Sequence, residues 1–202
     1  MRIDSDSSFT LSLRYTKPST HSRVLNIKYL AFGAVAVTII VVLWVVFIPK
    51  DAHQTGQRAT CKLIGSVKGT LVLEEVDGKL KIEGKLSNIT LGKHAIHIHE
   101  SGNTGNNCLD AGPHYNPTNV DHGGPTDKVR HIGDFGNFDI TSDPFLLSYE
   151  DPVAKLHGSW PVLDRGIVIH ASEDDLGRGH NPASKKNGNA GARLACCPIT
   201  AI

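Results

Sequence analysis

The chain has 202 residues, with 21 Lys and Arg against 20 Asp and Glu, a formal net charge of +1. That balance argues against nucleic acid as a partner, and a hydrophobic share of 40% excludes a wholly disordered chain. The unusual counts are 11 His and 20 Gly: a rich supply of imidazole and many tight turns.

Residues 1–28 are Ser/Thr-rich with little apolar periodicity and read as a disordered cytoplasmic tail. Leu30 to Ile48 are 19 residues without a formal charge. As a helix they span about 28 Å, close to the ~30 Å hydrocarbon thickness of a bilayer. With their flanks they define a transmembrane segment over 29–49. Arg2, Arg14, Lys17, Arg23 and Lys28 precede it against only Asp4 and Asp6, which places the N-terminus in the cytoplasm and the rest outside. A secretory signal has an apolar core of about 7–15 residues and a small-residue cleavage pattern. Here the run is longer, and Ile48-Pro49-Lys50-Asp51 offers no such pattern. An uncleaved signal-anchor, single-pass type II with the domain extracellular or lumenal, is therefore favoured; secretion after signal cleavage is the alternative. Residues 50–60 read as a polar linker.

Residues 61–202 are long enough for one domain with its own core. Beyond Ile48 there are 16 basic and 18 acidic residues, so this part is slightly acidic. Its pattern is strand-like. Leu71-Val72-Leu73 and Leu80-Lys81-Ile82 flank Asp77-Gly78, a hairpin signal. Gly166-Ile167-Val168-Ile169-His170 reads as a buried strand, and Arg193-Leu194-Ala195-Cys196 starts the last one. Between Ser101 and Gly136 the chain is rich in Gly, Asn, Pro and Asp. An ordered loop of that length needs something to hold it. The fold class is all-β, a sandwich or barrel.

In Lys93-His94-Ala95-Ile96-His97-Ile98-His99, alternate side chains share a strand face, so His97 and His99 point one way while Ile96 and Ile98 face the core. His94 has the opposite parity and does not join the pair. The long loop supplies His114, His122, His131 and Asp134, and His170 closes a strand far downstream. Imidazole is the usual ligand of copper and zinc. Two four-coordinate metals need eight ligand positions and this set holds seven residues, so one imidazole bridging both closes the gap, with His114 the natural candidate. Three His and an Asp suit zinc, and four imidazoles suit Cu(II). Spacing alone leaves the partition open. His157 and His180 read as ordinary surface histidines.

The motifs carrying these residues resemble the copper,zinc superoxide dismutases over essentially all of 61–202. They are Gly92-Lys93-His94-Ala95-Ile96-His97-Ile98-His99-Glu100, Cys108-Leu109-Asp110-Ala111-Gly112-Pro113-His114, His122-Gly123-Gly124-Pro125, His131-Ile132-Gly133-Asp134, Asp174-Asp175-Leu176-Gly177 and Gly188-Asn189-Ala190-Gly191-Ala192-Arg193-Leu194-Ala195-Cys196. The resemblance implies an eight-stranded Greek-key barrel with long metal-binding and charged loops. It implies copper on His97, His99, His114 and His170, and zinc on His114, His122, His131 and Asp134. Asp174 would link a copper His to a zinc His, and Arg193 would guide the anion, with Lys186 a second candidate for steering. The implied reaction is dismutation of superoxide to O2 and H2O2 by alternate reduction and reoxidation of copper, with the bridging His114 picking up a proton. A homodimer is implied as well. A non-catalytic copper/zinc-binding protein on the same scaffold is the alternative.

The resemblance also pairs Cys108 with Cys196. Neighbouring strand residues face opposite ways, so Cys197 cannot reach the same loop; Cys61 and Cys197 are then free thiols or a second cross-strand bridge. Pro198 suggests a strand end. Asn88-Ile89-Thr90 is a glycosylation sequon.

Overall fold

The computed structural model describes residues 57–202. The expected cytoplasmic tail 1–28, the anchor 29–49 and the linker up to residue 56 lie outside the described residues. Among the described residues no helix is long and apolar enough to cross a membrane.

Ten strands follow in chain order: β1 (Arg58–Lys62), β2 (Ile64–Gly65), β3 (Lys68–Val76), β4 (Lys79–Ser87), β5 (Gly92–His99), β6 (Asp134–Ile140), β7 (Phe145–Asp151), β8 (Gly166–His170), β9 (Arg193–Pro198) and β10 (Thr200–Ala201). Eight have five residues or more; β2 and β10 have two each and only extend the sheet edges. They form two antiparallel five-stranded sheets, ordered β10-β1-β3-β4-β7 and β2-β9-β8-β5-β6. After β4 the chain crosses to the second sheet for β5 and β6, returns for β7 beside β4, and crosses again for β8 beside β5. Such non-sequential neighbours are the mark of Greek-key connections.

Alternation builds the core. Leu71 and Leu73 of β3, Leu80, Ile82 and Leu86 of β4, and Ile96 and Ile98 of β5 point inward and are at most 2% exposed. The β3–β4 turn is the two-residue hairpin expected from Asp77-Gly78, with φ of 50° and 72°. Positive φ at both central residues matches the right-handed twist of the flanking strands. Arg58, Ala59 and Thr60, which the sequence assigns to the linker, are strand residues instead. Ala59 is fully buried against the first sheet and pairs with Leu73. Three residues before Cys61 are too short a stretch for period-two alternation to show.

The long loop is ordered because the sheet holds it at several points. Tyr115 N–H donates to Ile98 O, Ile98 N–H to Gly133 O, and Gly133 N–H to Tyr115 O. A Cβ on Gly133 would collide with the Ile98 carbonyl, so this close approach requires glycine. The buried Arg130 guanidinium donates to Pro125 O, His131 O and Ile132 O, and pairs with Asp151 at 2.8 Å.

Two disulfides lock the ends. Cys108–Cys196 ties the loop to β9, and Cys61–Cys197 ties β1 to β9. Cys61 and Cys197 are fully buried, and they stand 136 positions apart along the chain. Closing so long a loop restricts the unfolded chain strongly. Replacing both by Ala should cost about 2–5 kcal/mol of stability. Guanidinium unfolding of the double variant against the parent chain measures it, and an unchanged midpoint would contradict the assignment.

Candidate metal centre

Two groups of buried ligands converge on one region. His97, His99, His114 and His170 each offer a ring nitrogen, and these atoms lie within 4.8 Å of one another; so do ligand atoms of His114, His122, His131 and Asp134. His114 belongs to both groups, and all seven side chains are buried. His97 and His99 come from β5, His170 from the end of β8, Asp134 from the start of β6, and the others from the long loop. The register of β5 against β6 shifts between Ala95 and His97, and that of β8 against β9 between Ile169 and His170. Such irregularities re-aim a side chain, and here they fall on two ligands.

Hydrogen bonds fix which nitrogen of each ring carries its proton. Backbone carbonyls accept from Nδ1 of His99 (Gly112 O, 2.8 Å) and Nδ1 of His170 (Gly191 O, 3.3 Å). Each Nε2 is then a bare lone pair, and the two stand 3.3 Å apart. Asp174 spans the groups: Oδ2 accepts from His97 Nε2 at 2.9 Å and Oδ1 from His122 Nε2 at 2.8 Å. Val120 O accepts from His131 Nε2. Nδ1 of His97 and Nε2 of His114 are buried without a hydrogen-bond partner, and Nδ1 of His122 and of His131 face Asp134 Oδ1 at 2.9 and 3.1 Å. Lone pairs gathered like this repel one another and are relieved by a cation. The donors fit a four-nitrogen ion through His97 Nδ1 and the Nε2 atoms of His99, His114 and His170. They fit a second ion through three imidazoles and the Asp134 carboxylate. Four imidazoles suit copper, and a closed N3O set suits zinc.

Burial, together with the neighbouring imidazoles, holds His97 and His99 well below the ordinary value, and His170 at about 4. Burial also lowers His114, partly offset by its hydrogen bond to Asp134. Burial would lower His122 too, but bonds to the Asp134 and Asp174 carboxylates raise it to about 9. Burial opposes ionisation of Asp134, yet bonds from His114, His122 and His131 hold it far below the carboxylate range. Most of the rings are thus deprotonated at neutral pH, as ligands must be.

A cavity of about 350 Å³ opens over the first group, lined by His99, His114, His170, Lys186, Asn187 and Arg193 among others. Arg193 donates to Cys108 O at 2.6 Å and to Gly112 O at 2.6 Å. The Cys108–Cys196 bridge therefore sets the carbonyl that aims the guanidinium. Lys186 belongs to a single helical turn, Ser184–Asn187, ended by Gly188 at φ 63°. A Cβ on Gly188 would run into the Asp174 carboxylate, so glycine lets the turn close over the bridging residue.

Three supporting residues are not read from the sequence. His94, set aside on parity, is buried and donates from Nδ1 to His170 O at 2.8 Å. Asn137 holds both backbone groups of Asp174 through its amide. Arg130 clamps the carbonyl of the ligand His131. The first had a signal, an inward-facing His on the core side of β5; the other two depend on tertiary placement alone. His157 and His180 are exposed.

An antiparallel β-barrel carrying two buried ligand groups that share one imidazole defines a dinuclear metalloprotein of copper/zinc type. Residues 67–199 match the family model described as copper/zinc superoxide dismutase, and the chain belongs to that family. Among its relatives is the extracellular superoxide dismutase [Cu-Zn] of Caenorhabditis elegans, 47% identical over 135 residues, covering 66% of this chain and 61% of that protein. Another is superoxide dismutase [Cu-Zn] A of Xenopus laevis, 44% identical over 142 residues, covering 69% of this chain and 94% of that one. Copper and zinc are the family's cofactors.

Two outcomes follow. Asp174→Asn leaves one acceptor where two N–H groups need one each, so metal affinity should fall about 10- to 100-fold; competition with a chelator measures it. The second concerns the metal-free chain. His97, His99, His114 and His170 have lowered values, so below about pH 6.5 the unfolded chain binds more protons and stability falls toward pH 4. His122 is raised, so its contribution is complete below about pH 6.5 and is lost as pH rises through about 9. The melting temperature of chelator-treated protein should therefore decline on both sides of about pH 6.5, and a rise between pH 6.5 and 4 would refute the scheme.

Proposed function

We propose that the chain disproportionates superoxide outside the cytosol: two superoxide anions and two protons become O2 and H2O2. The observation that carries this is the pair of facing Nε2 lone pairs of His99 and His170 at the floor of a cavity flanked by Arg193. His97, His99, His114 and His170 would hold copper; His114, His122, His131 and Asp134 would hold zinc, with His114 between them. Bound copper supplies one-electron redox chemistry, and zinc a fixed positive charge beside the shared imidazole.

The chain's own residues do the rest. Asp174 keeps His97 and His122 in the tautomers that present Nδ1. His114 Nε2, buried and without a hydrogen-bond partner, can carry a proton toward the product only while it does not hold copper. Arg193 keeps donors free for an anion while two carbonyls fix its angle. Because the domain is slightly acidic, attraction of superoxide must come from this mouth, with Lys186 adding to it. Cys108–Cys196 acts through the Cys108 carbonyl on Arg193. A non-catalytic metal-binding role is the other reading of the scaffold, and the dismutation assay separates the two.

Location and assembly follow from the sequence. The apolar run within 29–49 and the basic residues of 1–28 support a single-pass type II anchor, with 50–56 as a linker. Two disulfides suit an oxidising compartment. The nematode relative carries the name extracellular, in line with a lumenal or extracellular domain; release by cleavage of the signal is the alternative. A homodimer follows from the family resemblance. Asn88 is exposed at φ 60°, and its Nδ2 donates to Ser66 O at 2.8 Å. We assign it as the acceptor of an N-linked sugar.

Pulse radiolysis of the copper- and zinc-loaded chain tests the activity. Superoxide decay should become first order in protein, and a rate equal to that of free buffer would refute the proposal. Arg193→Ala should slow the reaction about tenfold, within the range expected for local steering, and weaken its dependence on ionic strength while metal content stays unchanged.

A further inference from the structure

The N-terminal segment joins the barrel at one end of the first sheet. Arg58 pairs with Glu74, Glu75 N–H donates to Gln57 O, and Ile202 N–H donates to Arg58 O. The start of the described chain and its last residue therefore lie beside the Asp77–Gly78 turn. The segment after β7 covers the same end: Lys155 Nζ donates to Gly78 O, and the N–H groups of Leu156 and His157 donate to the Glu75 carboxylate. Lys155 also bridges to Pro161, which brings Trp160 next to it.

Four large apolar side chains are exposed here: Val76 by 40%, Val153 by 45%, Trp160 by 48% and Ile202 by 68%. Singly, exposed apolar residues need no reason, but a group at the point where the chain leaves the domain does. Residues 50–56 separate the segment 29–49 from Gln57, and the eight steps from Pro49 to Gln57 reach at most about 29 Å even when fully extended. If 29–49 spans a bilayer, this end of the barrel stays within that distance of the lipid. Indole has an apolar body and a polar N–H and favours the headgroup level.

We propose that this end of the barrel rests on the surface of the bilayer that anchors the chain, with Trp160 seated among the lipid headgroups. The proposal rests on the membrane-anchor reading given above.

The chain has two tryptophans, Trp44 in the apolar run and Trp160, so each can be watched alone. Full-length protein with Trp44→Phe is reconstituted in phosphatidylcholine nanodiscs, with lipids brominated near the top of the acyl chain as quencher. Trp160 emission should be quenched and blue-shifted, and Val76→Asp with Val153→Asp should reverse both changes. Trp160 remaining unquenched with a solvent-like spectrum, while Trp44 in the companion Trp160→Phe protein is quenched, overturns the docking and leaves the anchor standing. Trp44 unquenched overturns both.

Discussion

The constraint on which this structure turns is the convergence of lone pairs. Seven buried side chains direct ring nitrogens and a carboxylate at two points about one shared imidazole. Left alone, such a set repels itself and resists burial. The protein holds it in place with hydrogen bonds from the other side of each ring. Gly112 O, Gly191 O, Val120 O and the two oxygens of Asp174 each take the proton that a ring must not present inward. The ligand set is thereby shaped before any ion arrives, and the surrounding fold supplies the stiffness that this requires. Arg130 fastens the loop carbonyls, Asn137 fastens Asp174, and His94 fastens the backbone of His170.

Much of this was legible in the sequence, and the reason is geometric. The i, i+2 spacing of His97 and His99 survives folding because strand parity is a local property. The Asp77-Gly78 turn was legible for the same reason: two residues fix their own φ angles. The seven-residue ligand set could be counted, and the need for a shared imidazole followed from that count. The sequence could not assign ring nitrogens, because a tautomer depends on a partner brought in from another strand. The same holds for Asn137 and Arg130, whose partners lie on other elements. His94 is a different case: parity correctly kept it out of the ligand set, but said nothing of the carbonyl it reaches on the far side. The start of β1 was assigned to the linker because pairing with Leu73, and not any local pattern, makes Ala59 a strand residue.

One end of the barrel carries the Asp77–Gly78 turn, the start of β1 and the C-terminus, whereas the metal ligands lie along the second sheet, from His170 opposite Arg193 to His99 opposite Gly166. The loop that closes the cavity is fastened by a disulfide, by a buried ion pair and by glycines that permit backbone contact. A rigid mouth suits the small diatomic anion proposed as substrate, which offers few contacts with which to organise a site for itself.

The adjacent cysteines carry a consequence for assembly. Four cysteines allow three pairings. Cys196 and Cys197 face opposite sides of β9, one toward the loop and one toward β1. Exchanging their partners would require β9 to slip by one residue, turning Ala195 and its inward neighbours out to water. Strand alignment and oxidation thus proofread each other: a misaligned last strand cannot be sealed by both bridges, and a chain sealed by both has Arg193 in phase with the cavity it serves.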